Sequence, residues 1–175
     1  QFLICEDEPV GTLCIKDPRI NSVILTGATS TAKHFFKLRP GIDLMAETGG
    51  KNAMIITNLA DRDLAIKDLI QSAFSFSGQK CSACSLSVCE SLVYDDKGFQ
   101  EQLKSAVASL KVGSAFDLTT KVNPLIGKPN EALQYGLSKL EDGEEWLLKP
   151  KQDENNPDLW TPGIRLHAKP GSISH

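Results

Sequence analysis

The sequence predicts an α/β fold, in which the end of a doubly wound parallel sheet is followed by the first part of a second α/β unit. Two observations carry this expectation. Over residues 22–48 an apolar run, a glycine turn, an amphipathic run and a second apolar run follow one another, which is the order of a βαβ unit. Gly49-Gly50 then interrupts the chain, and a fresh alternation of strand and helix patterns begins behind it. The boundary is therefore placed at residue 48, with 1–48 as one unit and 49–175 as the next.

The elements follow in order. Phe2-Leu3-Ile4-Cys5 is a short apolar run that reads as a strand, and residues 10–16 read as a short helix stopped by Asp17-Pro18. Residues 22–26 form a buried-strand pattern ending at Gly27. Residues 29–39 form a helix with Ala32, Phe35 and Phe36 on one side, closed by Pro40-Gly41. Residues 42–46 are the next strand, with Glu47 at its end.

In the second unit, residues 52–57 read as a strand. A helix capped by Asn58 or Asp61 runs to about Phe76, with Leu64, Ile66, Leu69, Ile70, Ala73 and Phe74 at three-to-four spacing, and Gly78 ends it. Residues 86–89 and 91–94 supply strand material. Asp95 or Asp96 caps a second helix with Phe99, Leu103, Ala106, Val107 and Leu110 on one face and Gly113 at its end. Residues 130–142 make a third helix ended by Gly143, residues 146–148 a short strand, 151–162 a polar loop, and 164–168 a last strand.

Composition narrows the function. The chain is 41% hydrophobic and 23% charged over 175 residues, ordinary for a globular protein, and its net charge of −3 offers no electrostatic case for nucleic acid or an anionic membrane. No apolar run approaches the roughly 20 residues of a membrane-spanning helix, and no signal peptide opens the chain. Five cysteines are an odd number without an even disulfide framework, which points to a reducing compartment and so to the cytoplasm. Cys81 and Cys84 form a CxxC, yet His34, His167 and His175 are scattered, so no metal site is expected. Gln1 opens in mid-pattern and residues 170–175 show no closing element, so a piece of a longer protein is expected.

Two residues stand out chemically. Cys81 follows Gly78-Gln79-Lys80; a thiolate is a strong nucleophile, favoured beside a helix N-terminus or a cation such as Lys80. A buried, inert thiol is the commoner fate of a free cysteine, and Cys5, Cys14 and Cys89, inside apolar runs, are assigned to the core. Glu47 precedes paired glycines at a strand end, where ligands of parallel sheets gather. A partly desolvated carboxylate there would have a raised pKa and serve as a general base. In isolation a solvated charge at a turn is the favoured reading. Thr26-Gly27-Ala28-Thr29 opens a helix whose free N–H groups suit a phosphate, although such turns are abundant.

Together these segments resemble the aldehyde dehydrogenase superfamily. Its Thr-Gly-Ser-Thr turn, Glu-Leu-Gly-Gly-Lys motif and Gly-Gln-x-Cys motif stand here as Thr26-Gly27-Ala28-Thr29, Glu47-Thr48-Gly49-Gly50-Lys51 and Gly78-Gln79-Lys80-Cys81, and Cys81 follows Glu47 by the family's usual 34 positions. Leu110-Lys111-Val112-Gly113, Phe116-Asp117 and Asn123-Pro124-Leu125-Ile126 look like its next segment. Within the family, Ala46 through Met54 with Gly78 through Ala83 is most similar to 1-pyrroline-5-carboxylate (glutamate semialdehyde) dehydrogenases. The domain fused to proline dehydrogenase in bifunctional proline-utilisation proteins is included in that resemblance.

The resemblance implies a Rossmann-like cofactor domain ending near residue 48 and the N-terminal part of a catalytic domain after it. It implies an NAD (or NADP) cofactor lined by Thr26, Gly27, Thr29, Thr48 and Gly49, a small aldehyde as substrate, and a homo-oligomer for the full-length protein. Cys81 would be the nucleophile and part of the oxyanion hole, Glu47 the base for thioester hydrolysis, and Ser82 a contact for the substrate's distal carboxylate. Ala28 departs from the family's serine and removes one cofactor hydrogen bond, worth about 0.5–1.5 kcal/mol. The family's oxyanion asparagine, ribose-binding lysine and Glu-x-Phe-Gly-Pro motifs have no counterpart in this sequence, so the 175 residues alone are expected to be inactive. The competing reading is a non-enzymatic structural or interaction module in which Glu47 and Cys81 are remnants.

Overall fold

The computed structural model describes residues 2–172. Gln1 and residues 173–175 lie outside the described residues, and with them His175, one of the three scattered histidines. The chain is α/β with parallel strand pairing, and divides into two compact units, Gln1–Gly50 and Lys51–His175.

In the first unit the run at Phe2 does not form the expected strand. Phe2, Leu3, Ile4 and Cys5 have no regular structure and are exposed, because an apolar run becomes a strand only where a neighbour takes up its backbone groups. A single wide turn at Asp7–Gly11 leads into α1 (Thr12–Lys16). Beyond it Asp17 accepts the backbone N–H of Arg19 at 2.9 Å and its guanidinium at 2.6 Å, bonds that hold the Asp17 carboxyl at about 2.

The βαβ unit forms as read: β1 (Ser22–Gly27), α2 (Thr29–Leu38) and β2 (Asp43–Thr48), with β1 and β2 parallel and in register from Ser22↔Asp43 to Gly27↔Thr48. Ala32 is buried and Phe35 half-buried, but Phe36 is 47% exposed. Adjacent residues on a helix are turned by about 100°, so only one of the two phenylalanines can face the sheet.

The second unit starts with β3 (Asn52–Ile56), which crosses through α3 (Arg62–Phe74) to the parallel β4 (Cys84–Cys89). Asp61 caps α3 by accepting the Leu64 N–H at 3.0 Å. Ile66 and Leu69 enter the core, whereas Leu64, expected on the same face, is 51% exposed in the first turn. The helix ends at Phe74, two residues short of the expectation, since Phe76 and Ser77 take left-handed backbone angles.

Residues 91–94, expected as strand, are instead the short helix α4 (Ser91–Tyr94). The Glu90 N–H closes the sheet on the Ile56 carbonyl at 3.0 Å, and the Val93 and Tyr94 N–H groups then both return to the Glu90 carbonyl. A four-residue apolar run does not distinguish strand from buried helix. Val93 is fully buried and joins Ile56 and Val107 as the innermost side chains, each contributing about 1.5–3 kcal/mol of burial.

Asp96 caps α5 (Lys97–Ala108), accepting from the Gly98 and Phe99 N–H groups through one oxygen and pairing with Arg62 at 3.1 Å through the other. Gly113 lies beyond the helix in a bridged segment where Val112 faces Val122. The third helix, α6 (Glu131–Ser138), has Asn130 as its cap rather than its first residue and stops four residues before the expected end. Gly143 instead turns the chain at φ +84° into β5 (Glu145–Leu148). The antiparallel β6 is also shorter than expected (Ile164–Leu166), because His167 adopts φ +64° and leaves the strand. There the Tyr94 hydroxyl accepts the His167 backbone N–H at 2.8 Å and lies 2.9 Å from its Nδ1.

Candidate active site

The first unit gathers the expected cofactor contacts at one end of its sheet. The register sets Thr26 opposite Glu47 and Gly27 opposite Thr48, at the carboxyl ends of β1 and β2, and α2 starts at Thr29. The first turn of an α-helix leaves its N–H groups without intrahelical acceptors. Ala28, in the capping position, has no side chain to take them and spends only its carbonyl, on the Thr31 and Ala32 N–H groups. The donors at the start of this ten-residue helix therefore suit an anionic group. A Cβ placed at Gly49 or Gly50 would meet nothing within 4 Å, so the packing around these two residues does not itself call for glycine.

Glu47 is not the last residue of its strand, which continues through Thr48, and its side chain is exposed rather than partly desolvated. The burial anticipated from the apolar residues before it is missing in this unit.

In the second unit Cys81 sits at the apex of a tight turn. After α3, Phe76, Ser77 and Gly78 take φ of 53°, 57° and 71°, three left-handed residues in succession. At Gly78 a Cβ would lie 3.0 Å from the Ala73 carbonyl, so both space and angle favour glycine there. The conformation of Ser77 is held by its hydroxyl, which donates to the Asn123 carbonyl. Gln79 continues the tether: its Oε1 accepts the Ile126 N–H at 2.9 Å, and its Nε2 donates to the Phe76 carbonyl at 3.2 Å and reaches the Pro124 carbonyl at 3.5 Å.

The Ala83 N–H then closes a turn on the Lys80 carbonyl at 3.1 Å, with Cys81 and Ser82 as its two central, exposed residues. From beneath, the Asn52 amide donates to the Cys81 carbonyl at 2.6 Å and the Ala83 carbonyl at 3.1 Å. No helix begins at Cys81, as the turn runs directly into β4, and Lys80 rests its ammonium 5.5 Å from the Phe76 ring. Ser82, expected as a contact to substrate, follows Cys81 in the turn and is exposed.

The other thiols do not follow the expectation uniformly. Cys5 and Cys14 are exposed rather than in the core, Cys89 is half-buried, and Cys84 is buried. Their apolar neighbours in sequence are themselves exposed at Ile4 and Leu13, so the runs were poor evidence of burial. Among the described residues no group of three or more His, Cys, Asp or Glu side chains is placed to hold a metal ion, and no helix is long and apolar enough to cross a membrane.

Sequence reasoning did not find Asn52 and did not see what Gln79 does. Asn52 is the polar first residue of an otherwise apolar strand, which was a signal in hindsight. Gln79 belongs to a motif, but two of its three partners lie more than 40 positions away.

This arrangement coincides with a family match. The sequence pattern of the aldehyde dehydrogenase family matches residues 1–164, and the chain belongs to that family. Among its relatives, a 1-pyrroline-5-carboxylate dehydrogenase of Staphylococcus haemolyticus is 34% identical over 138 residues, covering 73% of this chain and 26% of the relative. The structure of Proline Utilization A from Corynebacterium freiburgense superimposes with a TM-score of 0.89 at 43% identity, over 97% of this chain and 17% of that one. A betaine aldehyde dehydrogenase of Staphylococcus aureus in complex with NAD+ gives a TM-score of 0.78 at 25% identity, over 91% of this chain and 33% of that one. The chain thus spans about a quarter of the length of the curated relatives it matches.

Proposed function

We propose that the full-length protein is an NAD(P)-dependent aldehyde dehydrogenase that oxidises glutamate γ-semialdehyde to glutamate. In this reading residues 1–48 end the cofactor domain and residues 49–175 begin the catalytic domain. The observation that carries it is the exposed Cys81 at the apex of a turn braced on both sides, in a chain 43% identical to a Proline Utilization A structure. The 1-pyrroline-5-carboxylate dehydrogenase relatives support the substrate class, and the NAD+ complex of the betaine aldehyde dehydrogenase supports the cofactor.

Thr26, Gly27 and Thr29, with Thr48 and Gly49 beside them, fit the anionic part of a dinucleotide through the α2 N-terminus. When bound, NAD(P)+ accepts the hydride. Cys81 Sγ, as thiolate, adds to the aldehyde carbon, and the Cys81 backbone N–H stabilises the charge that develops on oxygen. Loss of hydride from that carbon leaves a thioester on Sγ. Glu47 takes a proton from water as its oxygen attacks the thioester carbonyl; the C–S bond breaks, and the carboxylate product and the Cys81 thiolate are released. Ser82, adjacent to the nucleophile, is the contact for the substrate's distal carboxylate.

Incubating the full-length protein with glutamate γ-semialdehyde and NAD+ or NADP+ tests this directly. Reduced cofactor should accumulate in proportion to substrate and disappear with Cys81→Ala. Absence of reduced cofactor with either nucleotide overturns the reading.

A further inference from the structure

The Asn52 side chain joins two features that the catalytic reading leaves unconnected, the first residue of β3 and the turn that presents Cys81. Its Nδ2 carries two hydrogens, one for the Cys81 carbonyl at 2.6 Å and one for the Ala83 carbonyl at 3.1 Å. The orientation of the amide is fixed by these partners: with Oδ1 in place of Nδ2, an acceptor would face two acceptors. The contact lies at an irregularity in the sheet. Asn52 faces Cys84 and Ala53 faces Leu86, which leaves Ser85 without a partner and places a bulge immediately after the turn. A bulge bends its strand and re-aims the residues beside it, so the ladder alone does not fix where the turn points.

We propose that Asn52 is a positioning residue for the nucleophile. Its amide sets the plane of the Cys81 carbonyl and so the rotation about the Cys81 Cα–C bond, which orients the thiol and the backbone of Cys81 relative to β3. Gln79 secures the approach to the turn on residues 124–126, and Asn52 secures its exit on the strand, so the exposed thiol is carried on a turn held at both ends. The inference rests on the proposed role of Cys81, but it makes a separate claim about the reactivity of one thiol.

The test uses the full-length protein and three variants: Asn52→Asp, which turns a donor into an acceptor, Asn52→Ala, which removes both bonds, and Asn52→Ser, which retains one neutral donor in a smaller side chain. Two readouts are taken. One is the rate of alkylation of each cysteine by iodoacetamide, resolved by peptide mass spectrometry, and the other is kcat and KM for aldehyde oxidation. Misplacing a reacting group by about an ångström costs up to about a hundredfold. Asn52→Asp and Asn52→Ala are therefore expected to change Cys81 alkylation and to lower kcat by about tenfold or more, with Asn52→Ser in between.

In the same samples the Cys5 and Cys14 rates and KM should stay within about twofold of the parent, a range well below that positional effect. A merely structural role predicts that all exposed thiols and the melting temperature move together, and that result overturns the proposal. So does a Cys81 rate unchanged in folded Asn52→Ser and Asn52→Asp. If the parent oxidises no aldehyde but Cys81 alone responds to Asn52, the functional reading falls and the positioning role stands. If oxidation proceeds and neither readout responds, the positioning role falls alone.

Discussion

The Gln79 side-chain carbonyl accepts the Ile126 N–H at 2.9 Å, joining the turn before Cys81 to a segment 47 positions downstream. That segment is anchored again where the Leu125 N–H reaches the Asp158 carbonyl at 2.8 Å. Gln79 therefore fixes the turn to a loop that is itself fixed. Gln79→Ala in the full-length protein should speed hydrogen exchange at the Ile126 amide by about fivefold, the loss of one hydrogen bond worth about 1 kcal/mol. Unchanged protection at that amide would show that the side chain does not tether the loop.

Cys81→Ala should abolish aldehyde oxidation and leave NAD+ affinity within about threefold, since the substitution removes the nucleophile and none of the residues at the α2 N-terminus. Calorimetry and a steady-state assay check both halves. Retention of more than about a hundredth of the parent's kcat excludes a covalent role for this thiol, because losing a catalytic nucleophile costs orders of magnitude.

Glu47→Gln should separate the two halves of the reaction. A carboxamide cannot take a proton from water, so thioester hydrolysis slows more than thioester formation. A burst of reduced cofactor is then followed by a slow steady rate. Burst and steady rate falling by equal factors in a stopped-flow trace would assign Glu47 a different role.

The loop that leads to residues 123–126 is braced by Asp117, which pairs with Lys111 at 2.7 Å and accepts the Thr119 N–H at 2.9 Å and its hydroxyl at 2.7 Å. The Lys111 hydrogen bond first, and then those from Thr119, hold the Asp117 carboxyl well below its ordinary value of 3.8. A depressed carboxylate pKa contributes stability that is present above 3.8 and is lost only as pH falls through the lowered value. The bracing is thus intact through neutral and mildly acidic pH. Lys111→Met should move the Asp117 midpoint, followed by carboxyl-carbon NMR, upward toward 3.8. A midpoint that stays put would assign the shift to Thr119 alone.

The 175 residues by themselves should self-associate. Ile55 (74% exposed) and Val88 lie on one face of the β3–β4 pair, and Ile24 and Met45 are exposed on β1 and β2, although parallel strands are normally covered on both faces. Light scattering on the isolated chain should report species larger than a monomer, and calorimetry no NAD+ binding at micromolar concentrations. A stable monomer with micromolar affinity would contradict both expectations.

What the sequence determined alone were the features encoded by near neighbours. The βαβ order of residues 22–48, the capping stretches at residues 58–61 and 95–96, and each of the short motifs that mark the family depend on residues a few positions apart. Local propensity and capping act over that range. Tertiary structure decided what short apolar runs could not. Residues 91–94 became a helix because the Glu90 N–H ends the ladder and the Glu90 carbonyl starts a turn, whereas the run at Phe2 found no partner strand and stayed irregular. It also decided how Cys81 is held. The bonds from Asn52 and Gln79 span from about thirty to nearly fifty positions, and hydrogen bonds at such separation leave no periodic trace, since only the folded chain brings their donors and acceptors within 3.5 Å.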